Sequence, residues 1–474
     1  MELTQLPVDV LVMAMQFLDV PSLFACRLVC KRLADLALRA DVWRHQGFRG
    51  GRDADGTPCA CAVLRLAPCL RVLGLRLPIR GCRRAYASTS CAAEVLTLQV
   101  AEGRTALQAA QQLIRSQEAL GRLRGIRLVF DGVLAPTEAS ALLETVALTT
   151  GLTTLDMLPS YECEPPPVAV PSSTSSSSIK RFRCELRRGT LDFANFVLAA
   201  HSATLEKVEF YTVSFLKRLT SNLLGGMPNL RELKCPALPG LEAVAACESL
   251  RVLELRVPPD QRSAASAAKL LQASVQLTEL RLNYMFHFGG ADGVGADLVL
   301  ALASSGRSRV QALTIENFVV CSEDEYPYLQ PLIRALPSLP ALQRLKVDGK
   351  PHRLLRAIRP ATAPALRSVD VGALAYGCAH EWVHGVTVRT VMSANPSLHM
   401  KFAASEAVCR DIYACSVCNA CARGCHRELL ECVASEHGAD GYNLGLFSHE
   451  PTADCSHRHF TDDNCRWVHV PQSR

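Results

Sequence analysis

The sequence predicts an α/β protein with three parts: an N-terminal three-helix unit, a long body of repeated strand–helix units, and a cysteine-rich helical cap at the C-terminus. Apolar residues recur at helical spacing in the first fifty residues. A six-residue apolar pattern then repeats in steps of about 20 to 33 residues. The last seventy residues or so combine cysteine and histidine at short spacings. The predicted boundaries are 1–50, 65–400 and 401–474.

The composition favours a multidomain chain or one extended repeat body. At 474 residues, 49% of them hydrophobic, the chain is too long for one ordinary compact core. A net charge of +6 does not indicate nucleic-acid binding and suits an acidic or phosphorylated protein at least as well. Neither a signal peptide nor a membrane-spanning run is visible, so we expect no membrane partner and a cytoplasmic or nuclear location. The 21 cysteines are then expected to be reduced, mostly buried thiols.

The first fifty residues are predicted to form three helices. Pro7 suits a first helical turn, and Asp9 favours its positive end. Asp19-Val20-Pro21-Ser22 ends this helix, and Ser22 is expected to cap the second. A third short helix carries Trp43. Three helices in about 45 residues enclose a very small core, so we expect a partner to cover the remaining apolar surface.

Residues 4–48 resemble the F-box motif. The matching elements, in the family's order, are Leu6-Pro7-x-Asp9-Val10-Leu11, Phe17-Leu18, Ser22-Leu23, Val29-Cys30-Lys31-Arg32 and Trp43-Arg44. Ala14 and Leu33 depart from the family, which usually has a large aliphatic residue and often a tryptophan at these positions. The resemblance implies the substrate-recognition subunit of a cullin-RING (SCF-type) ubiquitin ligase, which docks on a Skp-type adaptor and, through it, on cullin and RING subunits. The residues implied in adaptor binding are Leu6, Pro7, Val10, Leu11, Phe17, Leu18, Leu23, Val29 and Cys30.

The pattern apolar-x-x-apolar-x-apolar recurs about a dozen times from residue 70 onward. Clear copies begin at Leu70, Leu123, Leu152, Leu205, Leu230, Leu250, Leu277, Val310, Leu342 and Leu366, and weaker ones lie near Leu96, Phe182 and Val388. Each copy ends in the alternation of a half-buried strand, and helical stretches lie between copies at 107–114, 139–148, 264–271 and 296–303. Stacked copies share a core that one copy cannot form alone, so a parallel sheet flanked by helices is predicted. A doubly wound α/β domain is the alternative.

The repeat body resembles the leucine-rich repeats that follow an F-box in one large F-box subfamily. The resemblance implies a single-layer solenoid from about residue 65 to 400, whose strand face binds a protein substrate. The polar positions beside the strands are Arg76, Arg127, Glu209, Lys234, Glu254, Arg281, Glu316, Lys346 and Asp370. They carry both signs of charge and do not identify the substrate.

Two segments interrupt the repeats. Residues 164–178 are rich in proline and serine and have little apolar content to bury, which predicts a disordered loop. Residues 287–295 are rich in glycine, but they lack the Gly-Lys-Ser/Thr of a phosphate-binding loop and are predicted to form a turn.

The C-terminal segment contains the densest cysteine cluster of the chain, formed by Cys415, Cys418, Cys421 and Cys425. Further cysteines and histidines follow, among them His449 and Cys455. The spacing permits zinc, and it also matches that of an iron–sulfur cluster. The last three of the four cysteines share one face of a helix, which favours simple packing against the last repeat. We therefore expect no cofactor, with zinc or iron–sulfur as the alternatives and these four cysteines as the candidate ligands.

No catalytic motif appears in the sequence: Gly-x-Ser-x-Gly, His-Glu-x-x-His and a phosphate-binding loop are all missing. We therefore predict a non-catalytic substrate receptor. Two other classes stay open, a leucine-rich-repeat scaffold and a metal-dependent sensor gated by the cysteine-rich tail.

Overall fold

The computed structural model describes residues 6–50, 60–78, 85, 88–131, 136–159, 178–186, 190–212, 221–258, 260–284, 294–317, 326–348, 351–372, 385–403, 443–450, 455 and 465–470. The chain forms two compact units, Met1–Leu230 and Arg231–Arg474. Within the described ranges, no helix is both long and apolar enough to cross a bilayer.

The first unit opens with four helices, not three: α1 (Val8–Met15), α2 (Val20–Val29), α3 (Lys31–Leu36) and α4 (Ala40–Trp43). The predicted second helix is divided because Cys30 adopts an extended conformation. The cap of α2 is Asp19 and not Ser22, since the Asp19 carboxylate accepts a hydrogen bond of 2.9 Å from the Ser22 amide. The buried Trp43 indole donates to the Ala37 carbonyl at 2.6 Å and fixes the small core.

Seven parallel strands follow in this unit: β1 (Gly47–Gly50), β2 (Cys69–Leu77), β3 (Ala92–Ala101), β4 (Gly125–Asp131), β5 (Thr154–Pro159), β6 (Arg181–Leu186) and β7 (Lys207–Thr212). The helices between and after them are α5 (Ala60–Leu66), α6 (Arg104–Ala119), α7 (Pro136–Leu148), α8 (Leu191–Ala200) and α9 (Ser221–Gly225). The same position of each repeat aligns across the sheet in one buried row, formed by Leu73, Leu96, Ile126, Leu155, Phe182 and Val208. Strand β1 was not predicted. It pairs Phe48 with Leu73, so the sheet begins inside the segment assigned to helices.

The second unit repeats this arrangement with β8 (Glu232–Pro236), β9 (Val252–Val257), β10 (Glu279–Tyr284), β11 (Ala312–Asn317), β12 (Arg344–Val347), β13 (Ser368–Val371) and β14 (His399–Ala403). Its helices are α10 (Gln261–Ala273), α11 (Leu298–Ala303), α12 (Leu329–Ala335), α13 (His352–Ala357) and α14 (Val386–Ala394), with 3₁₀ turns at Leu241–Ala246 and Leu336–Ser338. The buried row here is Leu233, Leu253, Leu280, Leu313, Leu345, Val369 and Met400.

The prediction of a weak repeat copy at Val388 is wrong. Val388 and Val391 lie in α14, where they are buried together with Met392 at helical spacing. The strand that continues the sheet is β14, whose Met400 and Phe402 pair with Val369 and Val371. An apolar pair three residues apart fits a helix as well as a strand copy, which explains the error.

The described part of the tail contains strands, although a helical cap was predicted. Strand β15 (Asn443–Phe447) pairs antiparallel with β14, and β16 (Cys465–His469) pairs parallel with β15. Phe447, Cys465 and Trp467 form a small buried cluster there. The four candidate metal ligands from Cys415 to Cys425 lie outside the described residues.

The predicted loops are described only in part. Of residues 164–178 only Ser178 is described, and residues 287–293 are outside as well. Gly295 sits in a turn with φ +77°, and the buried Tyr284 hydroxyl donates to its carbonyl at 2.7 Å. A Cβ at this position would come within 2.7 Å of Val257 Cγ1, so the turn requires glycine.

The cysteines of the described part are mostly free and buried. Burial raises the pKa of Cys184 and of Cys235 to about 12, which keeps both thiols protonated. Cys61 departs from the expectation of reduced thiols because it is disulfide-bonded. Sequence spacing alone does not tell which sulfur atoms the fold brings within bonding distance.

Helix α10 provides a test of capping. The Asp260 carboxylate accepts hydrogen bonds from Ser263 Oγ at 2.6 Å and the Ser263 amide at 2.9 Å, and these bonds lower the pKa of Asp260. We expect Asp260→Ala to lower the free energy of unfolding by about 1 kcal/mol in denaturant titrations at neutral pH. Because the folded pKa lies below the unfolded value, this contribution is present above the unfolded pKa and is lost as pH falls through the folded one.

The matched control is Asp297→Ala. Asp297 precedes α11 in the same way, but its side chain makes no capping hydrogen bond. An equal loss of stability in both variants, or a difference that persists at low pH, would contradict the capping assignment.

Candidate protein-binding surfaces

Helix α1 is apolar on two opposite faces. With about 100° between successive residues, Leu11, Val12 and Met15 share one side, and all three are buried. Val10, Met13 and Phe17 fall on the other side, and 46%, 62% and 86% of their respective surfaces are exposed. Phe17 continues the helical turn through a hydrogen bond of 3.2 Å from its amide to the Ala14 carbonyl. The first face forms the core of the domain, and the second is available to a partner.

The end of α2 adds further exposed apolar area. Leu28 and Val29 are 89% and 69% exposed, and Val8 at the start of α1 is 38% exposed. Among the described residues eleven large apolar side chains are exposed, and six of them lie between positions 8 and 29. We call these six the exposed apolar set: Val8, Val10, Met13, Phe17, Leu28 and Val29. Such a concentration within so few residues makes this segment the candidate protein-binding surface.

Hydrogen bonds from neighbouring elements hold this surface in place. Gln46 Nε2 donates to the carbonyls of Gln16 and Leu18, at 3.0 and 2.9 Å, and so fixes the chain on both sides of Phe17. Gln16 Nε2 in turn donates to the Asp41 carbonyl at 3.2 Å. A surface ordered before binding has less conformational entropy to lose when the partner arrives.

The nine residues implied by the F-box resemblance divide into two groups. Leu11 and Leu23 are buried, so we assign them to the core that supports the surface. The exposed residues are Pro7, Val10, Phe17 and Val29, and the half-buried ones are Leu6, Leu18 and Cys30. Arg32 donates to the Leu6 carbonyl at 2.7 Å and holds the start of the segment against α3.

Three members of the exposed apolar set were missed in the sequence: Val8, Met13 and Leu28. The spacing of α1 contains the signal for Met13, because it lies three residues from Val10 and opposite the stripe that includes Leu11. For Leu28 no such signal was recognised, and only the packing of the helices shows that it lies outside the core.

The strands of the first unit carry ion pairs between strands that are adjacent in the sheet or, for Arg76 on β2 and Asp131 on β4, next but one. Arg127 lies 2.8 Å from Asp156, and Arg76 lies 3.0 Å from Asp131. Arg183 lies 3.8 Å from Glu209 and 4.6 Å from the centre of the Tyr211 ring. These partners compensate one another, so the face is polar without a dominant sign of charge.

The second unit also mixes both signs on its strands. Lys234 lies 3.4 Å from Glu254, and Lys346 lies 2.7 Å from Glu316. Arg281 pairs with Glu279 of its own strand at 2.6 Å.

The two carboxylates beside Lys346 have raised pKa values. Burial raises the pKa of both Asp348 and Asp370, and the nearby charge of Glu316 adds to the effect. Burial alone would lower the pKa of Lys346, but the surrounding carboxylates outweigh it and raise that pKa. Eight of the nine strand positions predicted to be polar take part in ion pairs, so the strand faces carry no uniform charge.

One comparison with known proteins identifies the N-terminal segment. Residues 3–49 match the family model for F-box-like domains. No curated protein matches the chain.

Proposed function

From the F-box-like domain at residues 3–49, we propose that this chain is the substrate-recognition subunit of an SCF-type ubiquitin ligase. The observation that carries the proposal is the exposed apolar set, which places six large apolar side chains in water within 22 residues of a small helical domain. A Skp-type adaptor that covers this surface would connect the chain to cullin and RING subunits. F-box domains bind adaptors of this type.

We further propose that the strand–helix units are leucine-rich repeats and that their strand faces bind the protein substrate. The regular alternation, the parallel pairing and the aligned buried rows within each unit support this assignment. The receptor itself does no chemistry. It raises the effective concentration of a substrate lysine near the charged ubiquitin-conjugating enzyme. This function places the chain in the cytoplasm or the nucleus.

Adaptor binding by the full-length chain is the test of this function. Equimolar mixing with a purified Skp-type adaptor should give a one-to-one complex in size-exclusion chromatography with light scattering. Leu6→Ala combined with Pro7→Ala should weaken the complex by about 1 kcal/mol or more, roughly fivefold in Kd by titration calorimetry, because both residues lose apolar contact area.

The control for this pair is Leu120→Ala, which shortens an exposed apolar side chain far along the first unit and should leave Kd unchanged. A folded wild-type chain that does not bind the adaptor would contradict the ligase function and favour a repeat scaffold.

A further inference from the structure

Three metal-binding side chains converge at the last strands of the second unit. His399 begins β14, His449 follows the end of β15, and Cys455 lies six residues further on. The antiparallel register, with Met400 opposite Leu446, brings the start of β14 to the end of β15. One ligand atom of each of the three residues lies within 4.8 Å of the other two.

The distances between these atoms match a tetrahedral zinc site. His399 Nε2 lies 3.3 Å from His449 Nε2 and 3.3 Å from Cys455 Sγ. Zinc bonds of about 2.0–2.1 Å to nitrogen and about 2.3 Å to sulfur, at the tetrahedral angle, place two nitrogens about 3.3 Å apart and a nitrogen and a sulfur about 3.6 Å apart. Both distances in the chain agree with these values to within a few tenths of an ångström.

The second ring nitrogen of His449 fixes the tautomer that a metal needs. Nδ1 lies 2.8 Å from the carbonyl oxygen of Glu450, and a carbonyl can only accept a hydrogen bond. Nδ1 of a neutral ring therefore carries the proton, which leaves the lone pair on Nε2, the atom that faces His399. Metal-binding histidines typically donate their other N–H to a carbonyl in this way.

A network of hydrogen bonds alone explains the arrangement less well. His399 Nε2 has either one proton or one in-plane lone pair, yet it faces both the His449 nitrogen and the Cys455 sulfur at 3.3 Å. One proton or one lone pair cannot point at both atoms with good geometry. A cation among the three atoms accepts one lone pair from each of them.

Aromatic side chains pack against this site, and part of it is open to solvent. His399 is buried and lies edge-on to the Trp467 ring, with 5.4 Å between ring centres. Phe447 lies against His449, with 5.1 Å between ring centres. His449 and Cys455 are half-buried, so an ion can reach them from solvent.

We propose that His399, His449 and Cys455 bind one zinc ion. Two imidazoles and a thiolate are donors that zinc prefers, and binding releases the Cys455 thiol proton to solvent. The fourth position takes a water or one further protein donor. The ion fastens β14, the last strand of the parallel sheet, to the segment after β15, and so stabilises the end of the second unit. None of its three ligands is one of the four cysteines between 415 and 425, and the proposal does not depend on adaptor binding.

The test measures zinc in the full-length chain, purified under reducing conditions without chelator. Elemental analysis should find one zinc fewer per chain in Cys455→Ser, His449→Gln and His399→Gln than in the wild type. If other tail cysteines also bind metal, the difference between wild type and variant remains one. Cys455→Ser is the primary variant because it changes one atom of a half-buried side chain, and circular dichroism should show it folded.

Two matched controls come from β16. Cys465→Ala removes a buried thiol at the far end of that strand, where Cys465 pairs with Asn443, and His469→Gln removes an exposed histidine packed on Phe447. Both should retain the wild-type zinc content.

Two further measurements keep the proposal testable if the histidine variants fail to fold. A chelator should lower the melting temperature of the wild type more than that of Cys455→Ser. Cobalt added to the metal-free wild type should show tetrahedral absorption with a thiolate charge-transfer band. In Cys455→Ser the intensity of this band per chain should be lower by the contribution of one bound cobalt ion. Equal zinc content in wild type and Cys455→Ser would overturn the proposal. A Cys455→Ser variant that contains less iron than the wild type, but the same amount of zinc, would also overturn it.

Discussion

Replacing Met13 and Phe17 together by aspartate should abolish adaptor binding. Both side chains are more than half exposed, Met13 on the outer face of α1 and Phe17 in the turn that follows it, so the substitution removes two large apolar anchors without disturbing the core. Anchors of this kind are each worth about 2–4 kcal/mol when a partner covers them, and a buried carboxylate adds a desolvation penalty. We expect Kd for a Skp-type adaptor to rise by at least about 100-fold in surface plasmon resonance, with the melting temperature unchanged.

The matched control for this double variant is Val386→Asp. Val386 lies at the start of α14 in the second unit and is 81% exposed, close to the exposure of Phe17. A carboxylate at this position adds one negative charge where the double variant adds two, and it removes a smaller apolar side chain, but it leaves the F-box-like domain intact. Adaptor affinity within about threefold of wild type in the double variant would show that the docking surface lies elsewhere. A loss of similar size in Val386→Asp would show that the effect is nonspecific.

The sequence predicted the N-terminal domain well. It predicted less well which of the domain's apolar residues are buried and which are exposed. Separated apolar and polar elements in a fixed order were enough to indicate the family, and residues 3–49 match it. Which apolar residues face outward depends on how the four helices pack. Leu23 and Leu28 are equally apolar residues of α2, and only the fold places the first inside and the second outside.

The repeat pattern predicted the strands because each copy carries its own signal. Ten clear copies and two of the weaker ones coincide with strands, since the alternation of buried and exposed residues is local. Strand β1 escaped because Gly47–Gly50 contains one large apolar residue, Phe48, and forms by pairing with β2. The copy at Val388 failed because two valines three residues apart also fit a helix.

The candidate zinc site could not be predicted from the spacing of cysteines and histidines in the sequence. Short intervals drew attention to the cysteines between 415 and 425, whereas His399 lies 50 residues before its nearest partner His449. Only the antiparallel pairing of β14 with β15 brings the two histidines together. Ligands that come from segments far apart in the chain leave no local pattern in the sequence.

Replacing Leu253 by alanine should destabilise the second unit by about 2–5 kcal/mol in denaturant titrations. Leu253 is fully buried near the start of β9 and pairs with Leu233 on one side and Leu280 on the other. Removing most of its side chain leaves a cavity that these neighbours cannot fill, because their backbones are held by the parallel hydrogen bonds. Since successive strands contribute to one continuous core, hydrogen-exchange protection should fall in β8 and β10 as well as in β9.

Val275→Ala is the control for this substitution, because Val275 lies in the same unit and is 40% exposed, so its truncation should change stability by no more than about 0.5 kcal/mol. How far the loss of hydrogen-exchange protection spreads along the sheet tests whether the strands share one core. In stacked repeats each strand depends on its neighbours, so the loss of protection should be greatest in β9 and decline outward through β8 and β10. A loss of protection confined to β9, or a cost below about 1 kcal/mol, would show that the strands do not share a core and would count against the leucine-rich-repeat assignment.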